Sequence, residues 1–414
     1  MPCRRKIPLF RLRRAAAALL AAALLAGCLT GCSPHPARRT RPEAPLDQTV
    51  QPVAADAPAA ETDALRWYYD RLSPTGQQLY REMLPIVAAR QPQGSLTPAP
   101  KEELDAAFSA LCADHPELFW LTSYGGIYSS VNGQVEEVLF RPGYSMTEQE
   151  IQQAERLLQA ARDRLLQQLQ TACGPAASDA DRALYLYEQL AYGARYDEQA
   201  PSSQTVLSCL VYGRAVCAGY SRALQYLLNA AGIPCTYVSG TADGQPHAWN
   251  LALLDGSWYY LDATWGDTDL TVCGPDGAER ELIRYEYFAM TLPQLLADHT
   301  PDGDGWPDAT QEAGLYAVRS GGVFSRFDPE ETEARLCSAA RRGDPGLCLF
   351  FADDAAYAGA CAALERGDFA LLLHRAAAEI STLEDDTLTY LRNDARRVLL
   401  LVLPYRTAAG APSA

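Results

Sequence analysis

The chain has 414 residues, 48% of them hydrophobic and 21% charged, with a net charge of −16. That is the composition of a globular protein with room for two or three domains, not of a disordered chain. So acidic a chain offers no overall basic face for phosphate, which excludes nucleic acid as its main partner.

The chain opens against its own average. "RRKIPLFRLRR" is followed by "AAAALLAAALLAG" and then Cys28, with six basic side chains and no acid in the first 27 residues. A positive start, a short apolar run and small residues before a cleavage point predict a secretory signal over residues 1–27. The apolar run is shorter than the roughly 18–20 residues that span a bilayer, although an uncleaved anchor helix is the alternative. "LAGC", ending at Cys28, resembles a bacterial lipobox, whose cysteine is lipidated after cleavage; "LTGC", ending at Cys32, is a second match. The expectation is an extracytoplasmic protein held to the membrane by lipid on Cys28. Residues 28–62, rich in Pro and Ala and without periodicity, predict a flexible tether.

Residues 63–172 predict an N-terminal α+β domain. "ALRWYYDRLSPTGQQLYREML" and "MTEQEIQQAERLLQAARDRLLQQLQ" read as helices, with "DHPELFWL" and "GGIYSSVNGQVEEVLF" as strands around an Asn-Gly turn. Residues 173–300 form the next domain, opened by a helix in 177–197 with Ser178 or Asp179 as its cap. Residues 301–414 alternate strand and helix, as a small C-terminal α/β domain. Export favours disulfides, yet the cysteines show no CxxC pair and no dense spacing, so pairing stays open. Five histidines without such a cluster argue against a zinc site.

The stretch "AVCAGYSRALQYLLNAAGIPC" (215–235) carries the first chemical signal. Tyr220, Leu224, Leu227, Leu228 and Ala231 form one apolar stripe at helical spacing. Gly232 ends the helix and Pro234 prevents its restart. Cys217 then stands at the N-terminal end, where unpaired N–H groups and the helix dipole favour a thiolate and could receive an oxyanion. Ala218 and Gly219 leave room for a substrate backbone.

The second signal is "QPHAWNLALLDGSWYYLDATWGD" (245–267). Asp255-Gly256 is a two-residue hairpin turn. It sets Leu254 opposite Ser257, and by extension Trp249 opposite Asp262 and His247 opposite Thr264. Period-2 geometry places His247, Trp249 and Leu251 on the face of Tyr260 and Asp262. His247 and Asp262 become diagonal neighbours, close enough for a hydrogen bond that fixes the imidazole tautomer. Trp249, Trp258 and Trp265 read as core aromatics, with a share available to wall a cleft.

A helix-end thiol with a strand-borne His–Asp pair is an arrangement for nucleophilic acyl transfer. Alone, each residue has a plainer reading: a buried thiol, a core histidine, a strand-end acid. Their order and geometry together carry the stronger one. The same residues, with "ARYD" before the cysteine and "YEYFAMTLPQLLADHT" after the hairpin, resemble the core of the transglutaminase-like superfamily. The resemblance covers residues 178–300. It implies an α+β, papain-like core, with the nucleophile's helix packed on an antiparallel sheet. It also implies Cys217 as nucleophile, His247 as general base and acid, and Asp262 as orienting acid. No calcium-site cluster is seen, so no metal or other cofactor is implied. The expected partner is a protein or peptide substrate, with cell-wall material among the candidates. Hydrolysis is favoured over amine transfer; a catalytically silent surface binding module on the same fold is the alternative.

Overall fold

The protein is described by a computed structural model over residues 66–131, 134–312 and 316–406. The expected signal segment, its Cys28 and the tether lie outside the described residues. Among those described, no helix is long and apolar enough to cross a membrane. The described residues other than 244–246 belong to one compact unit.

Local signals set most helix starts. Ser73 accepts from the Gly76 N–H and Pro74 occupies the first turn of α1 (Pro74–Ala88). The stretch expected as one helix is therefore two pieces, with a 3-10 turn at Tyr69–Arg71 ahead of the cap. Helix α2 (Lys101–Asp114) was not among the expected helices. The expected strand "DHPELFWL" is instead a pair of turns, with Leu118 N–H on His115 O and Leu121 N–H on Leu118 O. Strands β1 (Leu121–Val131) and β2 (Gln134–Tyr144) then pair antiparallel from Leu121↔Tyr144 to Val131↔Gln134; the Asn132-Gly133 turn lies outside the described residues. Capping boxes start α3 (Glu148–Cys173), through Thr147 and Glu150, and α4 (Asp179–Gly193), through Ser178 and Asp181.

Helix α5 (Cys217–Ala230) follows, and Gly232 beyond it has a φ of 78°. Strands β3 (Cys235–Ala242), β4 (Gln245–Leu254), β5 (Ser257–Leu261) and β6 (His299–Pro301) form a sheet of order β6-β3-β4-β5. Ala252 and Leu254 of β4 join one core with Leu224, Leu227 and Leu228 of α5 and with Leu79 and Tyr80 of α1. Trp249 and Leu251 join a second core with Val238, Tyr260 and Trp265. This period-2 division is why β4 is apolar from Ala248 to Leu254 apart from Asn250: it is covered on both faces there. Each fully buried leucine contributes about 1.5–3 kcal/mol, so the helix carrying Cys217 is held firmly on the sheet.

The C-terminal third contains α6 (Pro329–Arg342), β7 (Gly346–Phe350), α7 (Asp354–Arg366), α8 (Asp368–Glu379), β8 (Thr389–Asn393) and β9 (Val398–Val402). Its sheet, of order β7-β9-β8, is antiparallel throughout. The protein is α+β: helices packed on antiparallel sheets.

Candidate active site

Cys217 opens α5 and is half-buried. Gly219 and Tyr220 donate their N–H groups to the Val216 carbonyl, closing the first turn just past the sulfur. The small residue at 219 serves the chain itself, contrary to expectation. A Cβ there would lie 2.5 Å from Ser203 O and 2.7 Å from the Ala215 Cβ, so packing fills the space reserved for a substrate backbone. Asp197, just past the Arg195–Tyr196 strand, donates its N–H to Ala215 O at 2.9 Å and forms an ion pair with Arg214. It steadies the segment leading into Cys217. Cys209 and Cys235 are buried free thiols.

The hairpin has the expected register, from Leu254↔Ser257 to Asn250↔Leu261, with φ of 49° at Asp255 and 80° at Gly256. It stops at Leu261, three pairs short of the extrapolated His247 opposite Thr264. Asp262 leaves the strand and caps a short helix (Ala263–Gly266), its Oδ1 accepting from the N–H groups of Thr264 (2.9 Å) and Trp265 (3.1 Å). Thr264 is therefore helical and does not face His247 in a ladder. The diagonal bond forms all the same: His247 Nε2 lies 2.8 Å from Asp262 Oδ2. Tyr187 of α4 donates its hydroxyl to the Asp262 carbonyl at 2.9 Å, fixing the backbone there. Asn250 joins the two halves of the site, its Nδ2 donating to Ser221 O on α5 (2.8 Å) and to Thr236 O on β3 (3.2 Å).

Cys217 lies close enough to the same imidazole to act on its charge. Because Nε2 is engaged by Asp262, Nδ1 is the ring nitrogen left for the sulfur. Burial pulls the His247 imidazole down, but Asp262 and then Cys217 outweigh it and raise it to about 10. Burial likewise pushes the Asp262 carboxyl up, while His247 and His299 more than offset that and hold it well below the usual carboxylate range. The arrangement favours a charged imidazole backed by a carboxylate. The rings of Trp249 and Trp265 stand 6.1 and 5.5 Å from that of His247, while Trp258 meets Trp67 edge-on at 5.8 Å.

His299 was not foreseen as part of the site. Its Nε2 lies 3.1 Å from the same Oδ2 of Asp262 and its Nδ1 2.5 Å from Asp298 Oδ1. Asp298 in turn accepts from Arg396, at 2.6 Å on Oδ1 and 3.0 Å on Oδ2. The adjacent Asp-His pair was the available signal, but nothing local ties it to a residue 37 positions earlier. His247, Asp262 and His299 offer ligand atoms within 4.8 Å of one another, a donor set able to hold a metal ion. Here those atoms are joined by hydrogen bonds among themselves.

Residues 167–263 match the family model of the transglutaminase-like superfamily. The mouse kyphoscoliosis peptidase is 26% identical over 151 residues, which cover 32% of this chain and 22% of that protein. The crystal structure of a TGase is similar over 35% of this chain and 45% of its own, at 16% identity and a TM-score of 0.25. The periplasmic domain of TgpA from Pseudomonas aeruginosa bound to ethylmercury is similar over 32% and 56%, at 19% identity and a TM-score of 0.22. The chain thus spans about a fifth of the mouse protein's length and around half of each solved chain.

Proposed function

We propose that this chain, which carries a transglutaminase-like core domain, is an extracytoplasmic thiol enzyme that cleaves peptide or side-chain amides through a thioester on Cys217. The observation that carries the reading is the 2.8 Å bond from His247 to Asp262, with Cys217 on the same imidazole at the start of α5. In this mechanism the thiolate attacks the amide carbonyl and forms the carbon–sulfur bond. The N–H groups of Cys217 and Ala218, ahead of those that bond to Val216 O, would receive the oxyanion. The His247 imidazolium gives its proton to the departing amine as the carbon–nitrogen bond breaks. Neutral His247 then takes a proton from water, which attacks the thioester and regenerates the thiolate. Such proton transfer is typically worth ~10²–10⁴-fold in rate.

Water as acceptor makes the enzyme a protease or amidase; a lysine amine makes it a cross-linking enzyme. We favour water, and the peptidase name of the mouse relative supports that choice. Mass spectrometry of a Gln-containing peptide, with and without a primary amine, separates the outcomes. Hydrolysed product in both arms supports the reading; amine adducts alone make the protein a transferase. No product from several peptides and no Cys217 adduct would leave a binding module instead. Membrane anchoring rests on "LAGC" at Cys28, and Cys28→Ala should leave an unprocessed precursor or move processing to Cys32.

A further inference from the structure

We propose that His299 is a positioning residue of this site: bridging Asp262 to the Asp298–Arg396 ion pair, it holds the carboxylate beneath His247 and offsets part of its charge. The inference rests on the Cys217–His247–Asp262 reading and extends it into the C-terminal third of the chain.

Hydrogen-bond counting carries the argument. An ionised carboxylate only accepts, and a neutral imidazole has one N–H. His299 stands between two carboxylates, 3.1 Å from Asp262 and 2.5 Å from Asp298. Both acids are held below the usual carboxylate range, Asp298 by His299 and Arg396 against its burial. To donate at both nitrogens the His299 ring carries two hydrogens and a positive charge. From His247 to Arg396 the charges then alternate: imidazolium, carboxylate, imidazolium, carboxylate, guanidinium. His299 and Asp262 side chains are wholly buried and that of Arg396 is only 5% exposed, so water screens this row weakly.

The remaining groups around the row are accounted for. Tyr287 donates to Asp298 Oδ2 at 3.2 Å, Arg284 pairs with Glu286, and the rings of Trp249 and Trp265 flank His299. Gly240 makes the approach possible, since a Cβ there would lie 2.2 Å from Thr300 O and 2.7 Å from the Trp249 ring. The chemical value is balance. A lone buried carboxylate on Nε2 would strengthen the hold of His247 on its Nδ1 proton, which has to leave for the departing amine. A second cation on the same oxygen loosens that grip.

The test is the pH dependence of Cys217 alkylation by iodoacetamide on the full chain, in the wild type, His247→Gln, His299→Gln and Arg396→Met. The upper step of the profile reports loss of the His247 proton, and His247→Gln should abolish it. His299→Gln keeps an N–H for Asp262 but removes a charge. Its upper step should move up by roughly half a unit to one unit, and that of Arg396→Met in the same direction by less. A merely structural role would misplace Asp262 and move the step down. An upper step that stays put or falls in folded His299→Gln overturns the proposal. Should that variant not fold, as judged by circular dichroism, the same criterion applies to Arg396→Met. A wild-type profile unchanged by His247→Gln would instead sink the function proposed above, and this inference with it.

Discussion

Asp262 serves four donors with one carboxylate: two backbone N–H groups on Oδ1 and two imidazoles on Oδ2. Its work is orientation, whereas His247 has to move protons. His247→Ala should therefore abolish turnover on a verified substrate. Asp262→Asn should leave a weaker but measurable enzyme, and the double variant should be scarcely worse than His247→Ala alone. Additive losses in kcat/KM would show that the two do not act as a unit. Thiol chemistry gives a second check. Cys209 and Cys235 are buried, and burial pushes both thiols up. Peptide mapping after brief iodoacetamide treatment near neutral pH should find Cys217 modified well ahead of either; equal labelling would remove the case for a special thiol.

Strand β6 is three residues long and among the described residues pairs only with β3, His299↔Ala242 through Pro301↔Gly240. Its position depends on the bare backbone at 240. Gly240→Val should force the strand away from Thr300 and the Trp249 ring, at a cost of about 1–3 kcal/mol. Urea unfolding would read that loss, and the Cys217 alkylation profile should change with it. The hairpin and α5 were legible in the sequence because their signals are local: an Asp-Gly turn, alternation, a helical stripe, a terminating Gly232. His299 was not legible, since a three-residue strand pairing across the sheet leaves no period to read. Helix α2 escaped for a different reason. It starts after Pro100 with no side-chain cap, and its buried face sets only two leucines beside two alanines and an acid (Leu104, Ala107, Ala110, Leu111, Asp114). The extra residues assigned to β5 reflect a strand-like sequence turned into a helix by the Asp262 cap.

Across the whole molecule, the His247 charge links the site to stability. Its imidazole is raised from an ordinary 6.5 to about 10, so the folded state holds a proton that the unfolded chain releases. That stabilisation is complete below the ordinary value and is lost as pH rises through the folded one. The thermal midpoint should fall between about pH 7 and pH 10, and less so in His247→Gln. The buried thiols of Cys209 and Cys235 add to the decline above about pH 9, where unfolded cysteines ionise. A midpoint flat across this window would contradict the ion pair.

Arg396 has one more consequence, which concerns time. A polypeptide is made from its N-terminus, and early segments fold while later ones are still being added. Cys217, His247, Asp262 and Asp298–His299 are made in that order, and the guanidinium that secures Asp298 comes last, on the turn between β8 and β9. A growing chain can thus possess its sulfur, its imidazole and its carboxylate while the far end of the charged row is still missing. Full reactivity would then be postponed until residue 396 has been added and its turn has folded. Stalled chains ending before residue 396 should show the Cys217 alkylation profile of Arg396→Met, and a wild-type profile in them would refute the delay.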